Sequence, residues 1–279
     1  AAIFCLLAAI GMSGVQTNKI TGSYTAVLNN DSTAVKLIIG GIVAFFAAIV
    51  IIGGIKRIGR IASMLVPFMS LLFIAMAFVI IGKNHTAIPE TFRLIFTSAF
   101  SSKAVAGGVG GFAFSQIIKK GLARGVFSNE AGLGSSVIAH SASETREPVK
   151  QGLWGIFEVF FDTFVICTLT ALVILTTNIG TGAYENGSFF GAENAAGEFV
   201  GASDSATALS AFSSNLGMFG TVAFLIILPL FAFTTVLAWS YYGEKAVDFC
   251  FRHKPENKRK IPVLIFKIIF ILLIVFSSL

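Results

Sequence analysis

Charged residues are scarce in this 279-residue chain, since Lys, Arg, Asp and Glu together make up only 12% of it. Hydrophobic residues make up 55%, and the mean hydropathy is +0.85. A soluble protein of this length could not bury so much apolar surface, so the composition excludes that class and predicts a multi-pass membrane protein. The net charge of +6 does not indicate nucleic acid, because cations retained beside membrane spans account for it.

Cysteine and histidine are also few, with three of each. Cys5, Cys167 and Cys250 are too far apart to suggest metal ligands or a disulfide framework. An initiator Met is missing as well, and both ends of the chain lie in apolar runs. We therefore expect a fragment of a longer protein.

Apolar stretches of membrane-spanning character recur along the chain. Most of them approach the roughly 20 residues that a helix needs to cross a bilayer. The pattern predicts an all-α polytopic membrane protein with about seven transmembrane helices in a single domain over 1–279. The seven stretches are roughly 1–15, 35–54, 61–81, 104–118, 152–177, 216–241 and 261–279.

The connections between these stretches alternate in charge. Residues 55–60, 119–150 and 243–260 are basic, whereas the intervening connections are near neutral or acidic, as 178–215 is. Because Lys and Arg are retained on the cytoplasmic side, the basic loops are predicted to be cytoplasmic and 178–215 external. We expect a multi-pass protein of the cell (inner) membrane, with a short helix within the loop 119–150.

Polar side chains at membrane depth are expensive and are candidate functional residues. Gln16 fits a ligand role and an interfacial amide equally well. Thr234 and Thr235 are adjacent hydroxyls, and Trp239 shares a helix face with Thr235, but back-bonding to the preceding turn and an aromatic belt would also explain them. Asp162 is suited either to an ion site or to a hydrogen bond between helices.

Four glycines within 107–111 interrupt the fourth stretch. Each weakens a helix by about 1 kcal/mol relative to Ala. Non-helical backbone at membrane depth requires a protein or water-lined environment, and broken helices of this kind bind substrates in transporters. The alternative is close packing of small residues. Residues 92–102 could supply the first half of a broken helix.

The segments "RGVFSNEAGLGSSVIAHSA" and "VKQGLWGIFEVFFDTFVICTLTALVIL" resemble the alanine or glycine:cation symporter family, the sodium:alanine symporters. The similarity extends through "GMSGVQTN", "GGIKRIGR", "LVPFM" and "LAWSYYGE". It implies a leucine-transporter-like fold of two inverted five-helix repeats, of which this chain would hold core helices 3 to 9. It also implies sodium-coupled symport of alanine or glycine by alternating access, with Na⁺ as coupling ion, no organic cofactor and the lipid bilayer as surroundings.

The resemblance also implies roles for individual residues. The break in the sixth core helix would fall at 107–112. In the loop that follows, Arg124 and Glu130 would have an inner-gate or structural role, and Ser128 or Asn129 would N-cap a short helix with Glu130 in its first turn. The implied substrate-binding residues are Gln16, Gly110, Gly111, Phe112, Thr235 and Trp239. The implied sodium ligands are the Phe231 carbonyl, Thr234, Thr235, Asp162 and Thr163.

Three alternatives to sodium symport remain open. A proton-coupled carrier would use Asp162 as its titrating group. A membrane-embedded enzyme would have to rely on Asp162, Glu158 and His140, which no nucleophile or metal-ligand cluster accompanies in the sequence, so a non-enzyme is favoured. An ion channel is disfavoured because the chain has no ring-forming filter sequence.

Overall fold

A computed structural model describes residues 2–28, 30–100, 118–119, 121–130, 132–182, 191–193, 199–201 and 204–279. The chain divides into two compact units. The first comprises Ala1–Phe73, Val137–Glu144 and Met218–Leu279, and the second comprises Ile74–Ser136 and Thr145–Gly217. The single transmembrane domain predicted for 1–279 stays a prediction.

Helices dominate the described residues. A 3₁₀ turn at His85–Ala87 follows the third helix, a helix covers 121–128, and a π-helical segment at Phe161–Cys167 joins α6 to α7. Strands β1 (Gly191–Glu193) and β2 (Phe199–Gly201) form a small antiparallel ribbon. The main helices are α1 (Ala2–Leu28), α2 (Thr33–Ile52), α3 (Gly54–Lys83), α4 (Ile88–Phe100), α5 (Ser135–His140), α6 (Pro148–Phe160), α7 (Thr168–Gly180), α8 (Asp204–Cys250) and α9 (Glu256–Phe276).

Five helical segments among the described residues are long and apolar enough to cross a membrane, which confirms an all-α polytopic membrane protein. Most of the predicted fourth span lies outside the described residues. The predicted seventh corresponds to α9, a helix of 21 residues that includes Arg259, Lys260 and Lys267. The leucine-transporter-like arrangement stays a prediction. The five segments are Ala2–Leu28, Thr33–Ile52, Gly54–Lys83, Pro148–Gly180 and Ser205–Cys250.

The first helix is much longer than predicted. Residues beyond 15 were expected to leave the membrane span because they are polar, yet α1 continues to Leu28. The hydroxyls of Ser13, Thr17 and Thr21 donate to the carbonyls four residues earlier, at 2.7, 2.9 and 3.0 Å. All three side chains are buried. Their polarity is therefore satisfied within the helix and does not end it.

The predicted loops 55–60 and 243–260 are wrong as structural elements, because both lie mostly in helices. The reversal after α2 is made at Gly53 and Gly54, and Gly54 has a φ of +70°, which suits a residue without a side chain. Only 251–255 separate α8 from α9. Hydropathy marks where a helix leaves an apolar environment, whereas its hydrogen bonding continues for several residues.

Ion pairs join α8 to α9 within the first unit. Lys267 Nζ lies 2.9 Å from Glu244 Oε2, and Arg259 lies 3.0 Å from Asp248. The same Lys267 ammonium also donates to the Ile51 carbonyl at the end of α2, at 3.4 Å. The Lys267 side chain is only 14% exposed. A largely buried cation in an apolar helix needs an ionic partner, and Glu244 supplies it.

Amides join three helices within the second unit. Asn84 Nδ2 donates to Asn215 Oδ1 at 2.6 Å, and Asn215 Nδ2 donates to Thr177 Oγ1 at 2.8 Å. Lys83 adds a bond to the Asn215 carbonyl at 2.7 Å. Two residues later α8 is kinked at Gly217, whose φ of +58° and ψ of −141° are not helical.

Candidate functional site

Three oxygens of the predicted sodium site lie together on α8. Thr234 Oγ1 donates to the Phe231 carbonyl at 2.9 Å, and Thr235 Oγ1 donates to the same carbonyl at 3.1 Å. The Phe231 ring packs edge-to-face on Phe73 of α3 at 6.3 Å between centroids, which orients this turn. The back-bonding considered for the two threonines is thus present. It gathers one carbonyl and two hydroxyls, the hard oxygen donors that a small cation prefers.

A proline lies two residues before this turn. Pro229 has no N–H, so the carbonyl four residues earlier, at Leu225, loses its helical donor. The Tyr24 hydroxyl of α1 donates to the Leu225 carbonyl at 3.0 Å instead. Tyr24 was not singled out from the sequence, which placed it in a connection outside the membrane. A proline within an apolar span was the available signal, because it predicts a carbonyl in need of a donor.

A cavity of about 830 Å³ is lined by α1, α2, α3 and α8 within the first unit. Ile20 and Tyr24 line it from α1, and Pro229 and Phe233 line it from α8. Gln16 lies one turn before Ile20 on the same face of α1 and is half-buried. None of the described residues lining the cavity is charged, so the space is apolar and is not by itself a site for a zwitterion.

Trp239 lies in the hydrophobic core of the first unit and is 1% exposed. Its ring meets Tyr242 edge-to-face at 5.3 Å. The indole N–H has no acceptor among the described residues. A buried donor without a partner is uncommon in proteins, so this N–H is available to an acceptor from elsewhere. An aromatic belt, the alternative considered from the sequence, does not describe this environment, since Tyr242 is also buried.

Asp162 and Thr163 occupy the π-helical segment and contact the loop motif "SNEAG". Ser128 Oγ donates to Asp162 Oδ2 at 2.6 Å, and Thr163 Oγ1 donates to Asn129 Oδ1 at 2.9 Å. π-Helical turns occur often at functional sites because they displace side chains from the regular α-helical pattern. The hydrogen bond between elements considered for Asp162 is therefore present, and its partner lies in the loop.

The loop motif is built differently from the prediction. Ser128 is the last residue of the 121–128 helix and Asn129 and Glu130 form the following turn, so the predicted N-cap and first-turn placement are wrong. Glu130 has a φ of +49°, which breaks the helix there. Its carboxylate accepts a short hydrogen bond from Ser135, the first residue of α5. Glu130 thus closes the turn locally, and its inner-gate or structural role stays a prediction. Arg124 is exposed on the 121–128 helix, and its inner-gate role stays a prediction.

The remaining predicted substrate ligands, Gly110, Gly111 and Phe112, lie outside the described residues, as does the predicted helix break at 107–112. Among the described residues, the predicted sodium ligands form two groups. One is the Phe231–Thr235 turn of α8 in the first unit, and the other is the pair Asp162 and Thr163 in the second. Sequence reasoning missed Ser128 and Asn129 as partners of the second group, because they are 34 residues away in the chain.

Together, the apolar helices and the polar atoms gathered within them define a polytopic α-helical membrane protein. The sequence profile of the sodium:alanine symporter family matches residues 1–279. The chain therefore belongs to this family of transporters.

Individual relatives agree with this assignment. The chain is 39% identical over 249 residues to the sodium/alanine symporter AgcS of Methanococcus maripaludis, covering 89% of the chain and 50% of AgcS. It is 36% identical over 237 residues to an uncharacterized transporter of Haemophilus influenzae, covering 85% and 48%. It is 35% identical over 267 residues to YrbD of Bacillus subtilis, a putative sodium/proton-dependent alanine carrier protein, covering 92% and 51%. The chain spans about half the length of these curated relatives.

Proposed function

We propose that this chain is part of a secondary active transporter that carries alanine or glycine together with Na⁺ by alternating access. The family assignment supports transport, and the sodium/alanine symporter AgcS supports this ion and substrate. The observation that carries the proposal for this chain is the convergence of Phe231 O, Thr234 Oγ1 and Thr235 Oγ1 on one turn of a membrane-spanning helix.

The proposed sodium ligands on α8 can change from hydrogen bonding to coordination without moving the backbone. Each threonine hydroxyl has two acceptor lone pairs, and rotation about its C–O bond turns the proton away from the Phe231 carbonyl. The two hydroxyl oxygens, which lie 2.9 and 3.1 Å from the carbonyl oxygen, would then be offered to one ion together with it. Neighbouring groups from other helices would complete the shell, as they do where transporters coordinate Na⁺ with backbone carbonyls.

The proposed substrate site lies beside this ion. Trp239 follows Thr235 by one helical turn and presents a large indole, which would leave room for a hydrogen or methyl side chain. Its buried N–H without a described acceptor offers a donor. Gln16, on the same face of α1 as the cavity-lining Ile20, would approach from the opposite wall. Gly110, Gly111 and Phe112 would complete the site with exposed backbone groups.

The coupling and topology follow from the same proposal. Na⁺ and the amino acid stabilise each other's binding by equal free energies, which is the thermodynamic basis of symport. The basic segments 55–60, 119–150 and 243–260 would face the cytoplasm and 178–215 the outside, in the cell membrane. Helical structure within these segments does not conflict with that orientation, because the positive-inside rule concerns charge and not conformation.

A proton-coupled carrier is the second candidate. It is favoured by the relative YrbD, whose name includes proton dependence, and by Asp162, a half-buried carboxylate within a membrane-spanning segment. Alanine uptake that rises as external pH falls, in the absence of Na⁺, would favour this candidate. Sodium-dependent uptake that is unchanged by pH would exclude it.

The test of the proposed function is alanine uptake by the full-length protein in proteoliposomes under a Na⁺ gradient. Thr235→Val keeps the side-chain shape and removes the hydroxyl, so the half-saturating Na⁺ concentration should rise about tenfold, equivalent to about 1.4 kcal/mol. Ser240→Ala is the matched control, since the Ser240 hydroxyl is buried on the same helix and its acceptor in the described part of the chain is the local Leu237 carbonyl. Uptake that is equal in Na⁺, K⁺ and choline would refute sodium coupling.

A further inference from the structure

The end of the loop helix and the π-helical segment meet as two adjacent pairs of residues. Ser128 bonds to Asp162, and the next residue, Asn129, bonds to the next residue, Thr163. We call these four side chains the clasp. The carboxylate and the Thr163 hydroxyl are half-buried, and both belong to a membrane-spanning segment. Two consecutive contacts between the same segments fix their register, which a single contact would not.

Local structure orients both sides of the clasp. Asn129 Nδ2 donates to the Gly125 carbonyl at 3.1 Å, so its Oδ1 is turned toward Thr163. On the other side, π-helical bonding runs from residue i to i+5, which brings Cys167 to the side of Asp162. Ser128 Oγ accordingly lies 3.9 Å from Cys167 Sγ as well as 2.6 Å from the carboxylate. A regular α-helix would separate those two residues by more than a quarter turn.

The clasp contains the donor set of a monovalent cation site. It combines one carboxylate, one amide carbonyl and two hydroxyls, all hard oxygen donors. One carboxylate balances one positive charge, whereas the high-affinity calcium sites of proteins use several. Both hydroxyls now donate a proton to another clasp oxygen. Rotation about each C–O bond would turn the proton outward and the hydroxyl lone pairs inward. The amide oxygen of Asn129 is already turned toward Thr163.

We propose that Ser128 and Asn129 are sodium ligands together with Asp162 and Thr163, and that the bound ion holds the loop helix against the π-helical segment. This inference rests on the proposed function and extends it, because it assigns the "SNEAG" motif to ion binding. Sodium binding then strengthens the contact between the π-helical segment and the loop 119–150, which is predicted to be cytoplasmic. The alternative is that the clasp is a set of structural hydrogen bonds that Na⁺ does not affect.

Cys167 provides a reporter that needs no change within the clasp. Its Sγ lies 3.9 Å from Ser128 Oγ, so an ion held in the clasp would change access to the thiol. In the full-length protein with every other cysteine replaced, Na⁺ should slow maleimide labelling of Cys167 about tenfold relative to K⁺ at equal ionic strength. Equal labelling rates in Na⁺ and K⁺ would overturn the inference, even where the protein transports alanine normally.

Variants of Thr163 test ligation directly. Thr163→Val should raise the half-saturating Na⁺ concentration for alanine uptake about tenfold and abolish protection of Cys167, whereas Thr163→Ser should restore both. Thr170→Val is the control, because the Thr170 hydroxyl is half-buried in the same span and, among the described residues, donates to the nearby Ile166 carbonyl. If Thr163→Val does not yield folded protein, the Cys167 comparison in the otherwise native protein still decides.

The loop side of the clasp needs its own pair of variants. Ser128→Ala should raise the half-saturating Na⁺ concentration like Thr163→Val. Ser141→Ala should not, since the Ser141 hydroxyl is exposed in the same loop and donates to the Ile138 carbonyl. Unchanged Na⁺ dependence in Ser128→Ala and Thr163→Val, with sodium-dependent uptake intact, would overturn the inference and leave the proposed function standing. Absence of sodium-dependent uptake in the native protein would refute the proposed function itself.

Discussion

The contact between Tyr24 and the Leu225 carbonyl makes the sharpest prediction about stability. Tyr24→Phe removes one hydroxyl and leaves the ring and its packing in place. The Leu225 carbonyl then has no donor from Tyr24, and Pro229 cannot supply one. We expect Tyr24→Phe to reduce the free energy of unfolding because a polar group at membrane depth is left without its partner.

The size of the loss follows from the environment. Hydrogen bonds between membrane helices average about 0.6 kcal/mol and reach about 1.7 kcal/mol, whereas leaving a buried acceptor unsatisfied costs about 1–3 kcal/mol. Tyr24 and Pro229 line an apolar cavity, which offers the carbonyl few other donors. We therefore expect Tyr24→Phe to cost about 1–2 kcal/mol.

Pro229→Ala supplies the control, because it restores the N–H that a regular helix directs at the Leu225 carbonyl. In that background Tyr24→Phe should cost about 0.5 kcal/mol or less, which is the typical value for a bond whose loss leaves nothing unsatisfied. The difference between the two backgrounds is the coupling energy of a double-mutant cycle, and we expect about 1 kcal/mol.

The assay is reversible unfolding of the full-length protein in mixed micelles, with the denaturing detergent varied and helix content as the signal. The four proteins of the cycle are compared under one condition. If Tyr24→Phe costs the same in the native background and in the Pro229→Ala background, the proposed role of the hydroxyl is wrong, since Tyr24 would then act through its packing or another contact.

Two further predictions concern packing. Trp239→Phe in the full-length transporter should let 2-aminobutyrate, one methylene larger than alanine, inhibit alanine uptake about fourfold better, as about 0.8 kcal/mol per methylene implies. Trp154→Phe, at an exposed tryptophan, is its control, and unchanged inhibition in Trp239→Phe would contradict the proposed pocket. Gly40→Ala should destabilise the protein by about 1–3 kcal/mol, because its new methyl would overlap the Ser278 side chain. At Gly41 the added methyl would meet none of the described residues within 4 Å, so Gly41→Ala should stabilise α2 by up to about 1 kcal/mol in the same unfolding assay. Equal effects of the two substitutions would contradict the packing.

The membrane class of the protein could be predicted from hydropathy, but the ends of its helices could not. The apolar run that ends near residue 15 marks less than two thirds of α1, which reaches Leu28. Ser13, Thr17 and Thr21 read as polar in the sequence, yet each is satisfied by a carbonyl of its own helix. Hydropathy measures transfer from water and does not register where a hydroxyl finds its acceptor.

The contacts of the candidate sites likewise include some that the sequence predicts and others that it does not. Helix geometry alone predicts that Thr234 and Thr235 lie near the Phe231 carbonyl, because residues three and four apart share a face. The pairing of Ser128 with Asp162 joins residues 34 apart, and the pairing of Tyr24 with Leu225 joins residues 201 apart. No local rule connects those pairs.

The order of residues along the chain was enough to establish a helical membrane protein, the positions of its apolar segments and the polar residues within them. These properties depend on composition and on contacts within one helix turn, and both are determined by residues close together in the sequence. The packing of the folded chain was needed to reveal that Tyr24 donates to the Leu225 carbonyl, which Pro229 leaves without a helical donor. It was also needed to reveal that the "SNEAG" motif forms hydrogen bonds with Asp162 and Thr163. A polar group in an apolar setting must find a partner, and which partner it finds depends on how helices distant in the chain pack together.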